Sequence, residues 1–482
     1  MSKENFEPRA NPKPRPAFKT ELLCKLIRIA AIPLLALSAV AWPQAVLAVS
    51  EPDGTLDLPF NPGSFTNGEV DAGVLQPDGK LLICGQFNKV HGVVRHSIAR
   101  LNTDGTLDLS FDSGTSGDGG VKAMILQTDN KIISFGTFGG MGRLNSDGSL
   151  DTGFNVPNVL SLDGVGNASG GAANPGLAYS AVLQPDGKLV VIGQFFYVIT
   201  GPSTSVPRSC VARFNSDGTF DPSYDPGTGA FYSPDPPSTI VSDAVRQSVG
   251  TNSGKIILKG NFDSFDGLGV PSLVRLNADG SRDDTFNPGT ATFYFQVDGL
   301  FVQSDDRIVI FGSFTSFNGV ARNSIVRLET SGAVDGGFAT GLFKNYDDAA
   351  EISVVAQQPN GKLIVGGLFH SLGGMVVNNA VRLETTGARD ASFDAVAAGP
   401  SATSVKAIRV RASDGKIFLG GYFSSYGGGY RNNMAWTNSD GSLDNTFSGL
   451  SCATDAFPQI YALATQTDGK IVVGGFFSSF NG

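Results

Sequence analysis

The chain has 482 residues, room for two to four domains at about 100–200 residues each, or for one large repeat domain. Apolar residues reach 41% while charged residues are only 16%, so a core can be built and disorder throughout is excluded. The 62 glycines and 34 phenylalanines favour short strands and tight turns over long helices. A net charge of −9 excludes a nucleic-acid binder that works through a global basic surface.

The first 48 residues differ in kind from the rest. They carry seven basic and three acidic residues, all within Met1 to Arg28. An apolar run, Ile29 to Trp42, follows; it is too short to span a bilayer comfortably and suits the apolar region of a secretory signal. Pro43 ends it, and Val46 and Ala48 fit the −3 and −1 positions of a cleavage site. Residues 1–48 are therefore expected to be a secretory signal peptide, and the mature protein secreted, periplasmic or on the cell surface. Removing them leaves 28 basic and 41 acidic residues, a charge of −13. No further stretch is apolar enough to span a membrane. Cys84, Cys210 and Cys452 remain, an odd number at irregular spacing, so no disulfide scaffold is expected; a Cys210–Cys452 pair stays open.

From residue 49 onward the chain repeats. One module is a turn followed by an apolar run, as in Gln76-Pro-Asp-Gly-Lys80 leading to Phe87. Its basic residue recurs at 80, 131, 188, 255, 307, 362, 416 and 470, each seven residues before a Phe. The second module runs from Arg100 through Asn102-Thr-Asp-Gly105 to Asp108 and Phe111, and recurs in seven copies of constant length. Pro presets φ, Asp caps its own backbone and Gly accepts positive φ, so each module is a hairpin turn. The flanks are short and β-branched, which predicts strands A and B around the first turn and C and D around the second. Each unit is then four antiparallel strands in about 55 residues, a unit that must stack on neighbours to bury its faces. The fold class expected is all-β, a β-propeller of four-stranded blades over residues 49–482. Eight blades are favoured, the last incomplete and completed from both termini with Thr55–Phe60 as a strand; seven is the alternative.

The second module also fixes a register. Around a turn centred on Asp104, Arg100 falls opposite Asp108. The same spacing pairs Arg143 with Asp151, Arg213 with Asp221, Arg275 with Asp283, Arg327 with Asp335 and Arg382 with Asp390. Cross-strand pairs of this kind contribute about 0.2–1 kcal/mol each, and the six are expected to be structural. In the seventh copy Trp436 stands in place of Arg. Copy four, Asn252-Ser-Gly-Lys255, lacks the Gln and Asp of its first turn.

The combined pattern, with both modules recurring in phase over residues 51–482, resembles the bacterial delta-60 repeat. That resemblance implies a β-propeller in a secreted or surface-exposed protein, and it carries no catalytic residues to transfer.

No Gly-x-Ser-x-Gly, His-Glu-x-x-His, P-loop or dinucleotide fingerprint occurs, so no cofactor is expected. Asn102-x-Asp104-Gly105-x-x-Asp108 lacks the leading acid and closing Glu of a calcium loop and reads as turn chemistry. His91, His96 and His370 lie in B–C connections without metal-ligand spacing. The B–C connections around Phe317 and Tyr426 offer aromatics beside amides, which suits a sugar or simple packing between blades. Insertions at 155–176, 197–209 and 225–239 are unique to single repeats and are where a specific site is expected. The function expected is a monomeric, noncatalytic binding or scaffold module for a glycan or protein. The alternative is a polysaccharide-active enzyme, which requires repeat-specific acids converging on the axis.

Overall fold

The computed structural model describes residues 66–444, with breaks at 68, 115–119, 137–140, 155–159, 162–175, 202–203, 234, 236–237, 249, 271, 290–296, 347, 394–403, 412 and 432. Outside that span it describes the strands 36–38, 46–50, 452–453, 459–465, 471–476 and 479–480.

Each repeat folds as a three-stranded antiparallel sheet. In the first, the inner strand Glu69–Leu75 pairs with the middle strand Leu81–Gln86, which pairs in turn with the outer strand Ile98–Leu101. The order recurs without crossover, for example as Ile240–Arg246, Ile256–Asn261 and Leu273–Leu276 in repeat four. Middle strands are buried on both faces, as their unbroken apolar runs require. In the last sheet, Val46–Ser50 takes the outer place against Ile471–Phe476. The backbone of Ala36–Ser38 adds to the free side of Glu69–Leu75.

The expected fourth strand is not formed in the described repeats. After each second turn the chain makes a single bridge, such as Leu101 to Leu107 or Leu328 to Val334. The reason is local. The Asp108 carboxylate accepts both the Ser110 N–H and the Ser110 hydroxyl, and Phe111 N–H returns to Asp108 O. These bonds curl the segment into a turn, where a strand would need it extended. Thr55–Phe60 lies outside the described residues.

Apolar clusters are shared between consecutive repeats. Val190, Ile192 and Tyr224 of repeat three pack with Val241, Leu258 and Phe262 of repeat four. Val309 and Phe311 of repeat five pack with Ile352, Leu363 and Val365 of repeat six. The inner strands of successive repeats also contact one another in sequence. Sheets stacked face to face with their first strands inward form a propeller. Because the strands run antiparallel, both repeated turns lie on one rim, and the middle-to-outer connections lie on the other.

Each inner strand bulges by one residue near its start, at Asp71 in repeat one and Ser242 in repeat four. The bulge drives a carbonyl onto a middle-strand glycine: a Cβ on Gly260 would stand 2.0 Å from Ile240 O. This close approach accounts for the glycine that recurs two residues before the closing Phe.

Candidate binding face

The rim of repeated turns is a network of locks. Arg100 Nε donates to Asp108 Oδ2 at 2.8 Å, and Arg143, Arg213, Arg275 and Arg382 do the same to Asp151, Asp221, Asp283 and Asp390 at 2.7–2.8 Å. Arg327 lies 2.6 Å from Asp335. The six expected pairs are thus brought together, at the outer strand and the turn that follows it.

Three further partners were not read from the sequence. The basic residue of the first turn reaches the same carboxylate: Lys80 to Asp108 at 2.7 Å, Lys255 to Asp283 at 2.7 Å, Arg307 to Asp335 at 3.2 Å. Each guanidinium also lies over the closing aromatic of its module, 4.8 Å from Phe111 and 4.6 Å from Tyr224. Finally, Nη1 donates to a carbonyl in the second turn of the next repeat, Arg143 to Ser216 O at 2.6 Å and Arg327 to Thr385 O at 2.7 Å. The signal for the first partner was present, since the basic residue is invariant; the last exists only between folded repeats.

Two irregular copies obey the same chemistry. In copy four Gln247, pushed back by the turn that contains Gly250–Asn252, still donates its N–H to Lys255 O and accepts Gly254 N–H at its own C=O, and its Oε1 accepts from Arg275 Nη1 at 3.3 Å. The Gln is displaced there, not missing. In copy seven the cation has moved to the first turn: Arg411 lies 4.9 Å over the Trp436 ring and is itself held by Asp414.

Burial pushes the Asp108, Asp221, Asp283 and Asp390 carboxyls up, but hydrogen bonds from lysine, hydroxyl, backbone and the arginine hold them well below the usual carboxylate range. The Asp104 carboxylate is spent on its own turn, accepting Thr106 N–H and hydroxyl. Among the described residues no group of three His, Cys, Asp or Glu could hold a metal ion.

The opposite rim varies from repeat to repeat. Here the middle and outer strands are joined by short hairpins such as Ser316–Phe317 with Val320–Ala321, around Asn318 and Gly319 at φ of 48° and 71°. Phe317 and Tyr426 face inward and are buried. The second strand of each hairpin is exposed: Val93, Val94, Leu268, Val320, Met375 and Val376 are among the exposed large apolar residues. A segment entering the repeat pairs with the first hairpin strand, as Ala230–Phe231 does with Ser264–Phe265. In repeat six this annex grows to four strands, with Phe343–Asn345 between Asp348–Ala349 and Ser371–Leu372. Tyr346, at φ 55° and 57% exposed, stacks there on His370 with ring centroids 4.6 Å apart. His91 occupies the same left-handed turn position as Asn318. Of the three insertions, 155–176 is almost wholly outside the described residues; Tyr197–Gly201 with Thr204–Pro207 forms a long hairpin, and Ala230–Phe231 belongs to the third.

Two acids on the inner strands, Asp71 and Glu351, are met by lysines. Lys122 Nζ holds both oxygens of Asp71 at 2.9 and 3.1 Å, and Lys406 holds Glu351 at 3.1 Å. Cys84 and Cys210 are buried free thiols, so Cys210 is not joined to Cys452. Among the described residues no helix is long and apolar enough to cross a membrane.

A family profile described as "domain of unknown function (DUF5122) beta-propeller" matches residues 76–111, 127–154, 184–224, 251–286, 303–338, 358–393, 412–447 and 466–482, more than half of the chain. No curated protein matches. Among solved structures, the chain is similar to the Dos1 propeller at 11% identity and TM-score 0.47, covering 85% of this chain and 93% of that one. It is similar to PorZ, a surface component of the type-IX secretion system of Porphyromonas gingivalis, at 12% identity and TM-score 0.36, covering 82% and 51%. It is also similar to the extracellular domain of the hybrid two-component system BT4673 of B. thetaiotaomicron, at 10% identity and TM-score 0.37, covering 75% of this chain and spanning only 38% of that one.

Proposed function

This chain belongs to the DUF5122 β-propeller family, and on that premise we propose that it is a noncatalytic, secreted or surface-exposed bacterial module that binds a glycan or a protein. The ring has eight blades over residues 49–482, one for each basic anchor, and residues 1–48 direct its export. The Arg–Asp pairs serve structure alone.

The observation that carries this reading is the division between the two rims. One rim is spent on a repeated lock in which carboxylates, guanidiniums and lysines satisfy each other. The other presents apolar hairpin tips and the Tyr346–His370 stack, and it differs between repeats. Variable groups held on a rigid frame are where recognition is built. The enzyme alternative has less support, because Asp71 and Glu351 on the inner strands are neutralised by Lys122 and Lys406.

A glycan array probed with the mature protein tests this. Binding is expected to fall about tenfold or more in Tyr346→Ala and Met375→Ala and to survive Asp129→Ala on the locked rim, where a hot-spot residue is absent. Binding lost only on the locked rim would contradict the assignment. Silence across the array would leave a protein ligand or scaffold.

A further inference from the structure

Repeat four carries a charged pair inside its sheet. Asp243 and Lys259 stand directly opposite each other between Ile240–Arg246 and Ile256–Asn261. Directly opposed residues have Cβ atoms about 5 Å apart on the same face. The same register in other repeats holds Ala72 and Cys84, Ser180 and Ile192, or Ala407 and Gly420. Asp243 is 1% exposed and Lys259 6%. No side chain hydrogen-bonds to either carboxylate oxygen of Asp243, and the backbone N–H of Ala244 is the polar group that pulls on it beside Lys259. Lys259 Nζ donates to Val297 O at 3.2 Å and Asp298 O at 3.1 Å, on the inner strand of the next repeat. The Asp298 carboxyl completes the group, close enough for its charge to act on Lys259.

Burial disfavours the charged form of both partners. It pushes the Asp243 carboxyl up to about 6 against the pull of Lys259, and it lowers the Lys259 ammonium against the pull of Asp243 and Asp298. A neutral amine is a nucleophile, and desolvation is one way a lysine becomes one. A protonated carboxyl is the matching electrophile.

We propose that Lys259 and Asp243 are joined by an intramolecular isopeptide bond that the folded protein forms by itself, with Asp298 as proton carrier. The Nζ lone pair attacks Cγ of the Asp243 carboxyl. The Nζ–Cγ bond forms, the Cγ–OH bond breaks and one water leaves. Asp298 takes a proton from Nζ and returns it to the departing hydroxyl, ending as it began. No oxidant is needed. Rotation about the lysine side-chain torsions turns Nζ from the two carbonyls to its opposed neighbour. Fixed opposition of the reactants supplies an effective molarity that can reach about 10⁵ M. The link ties an inner strand to its middle strand in a protein whose described cysteines are free thiols. It does not depend on what the protein binds.

Tryptic digestion of the full purified protein, followed by tandem mass spectrometry, decides the matter. The expected product is a branched species in which peptide 214–246 is joined to peptide 256–275, lighter by one water, with cleavage after Lys259 blocked. Recovery of linear 214–246 and of Ile256–Lys259 as the bulk of the material would overturn the proposal, and this measurement needs no variant. Lys259→Arg is expected to abolish the branch; its survival there would show a different linkage. Asp298→Asn is expected to yield the linear peptides from protein of unchanged circular dichroism, and a full yield of branch would remove Asp298 from the step.

Discussion

Arg275 shows how much one side chain carries. Its side chain is 2% exposed. It donates to Asp283, Gln247 Oε1 and Thr285 Oγ1, reaches Thr330 O in the next repeat, and covers the Phe286 ring. A lysine could not make this set, because only the planar guanidinium offers donors in several fixed directions. Arg275→Ala leaves Asp283 with Lys255 as its one remaining cation beside the Thr285 bonds, and the expected cost is about 3 kcal/mol, read as a lower urea midpoint. The same locks set the acid limit. Burial raises the Asp283 carboxyl, but bonds from Lys255 and Thr285 and the charge of Arg275 hold it below its unfolded value. A depressed carboxyl contributes stability that is present above the unfolded value, about pH 3.9, and is lost as pH falls through the folded one. Urea titrations are expected to show stability falling steeply below about pH 4, with a shallower fall in Arg275→Ala. An equal slope in both would remove the pair as a source of acid sensitivity.

At the scale of elements, the inner-strand bulge and the middle-strand glycine are one device. Gly260 faces Ile240 O so closely that a methyl group has no room. Gly260→Ala should force the two strands apart and cost about 3 kcal/mol. Gly267, at φ +72° in a hairpin tip, meets nothing within 4 Å, so Gly267→Ala should cost only about 1 kcal/mol, from backbone strain. Thermal melts of the two variants give the comparison; equal losses would mean that the bulge can relax. The missing fourth strand belongs to this scale too. The Leu-Asp-x-x-aromatic segment looked extended in sequence. Its aspartate captures the N–H two residues on in repeat after repeat, and that local bond outcompetes a fourth ladder.

For the whole molecule, each lock crosses a repeat boundary. Arg100 reaches Ser146, Arg213 reaches Ala278 and Arg382 reaches Ser439. Apolar clusters cross the same boundaries. A repeat that opens therefore exposes its neighbour's face and orphans a buried guanidinium. Calorimetry is expected to show one cooperative transition, and Arg275→Ala should lower its midpoint without splitting it. Separate transitions for groups of repeats would contradict the crossing locks.

The sequence by itself determined the repeat, its turns and three strands of each unit, and the meeting of each arginine with its aspartate. These are local matters: glycine, proline and aspartate set backbone angles, and constant spacing sets register. It also showed the lysine at constant phase, though not what it touches. The sheet stack decided the rest. Which carbonyl each guanidinium reaches depends on a turn some 55 residues away, and Gln247 is recognisable only because its amide arrives at Arg275. The stack likewise decided which rim is spent on locks and which remains open. It brought a lysine and an aspartate together in the buried interior, beside a half-buried aspartate from the next repeat. No spacing announced that meeting, because burial and charge pairing are properties of packed surfaces.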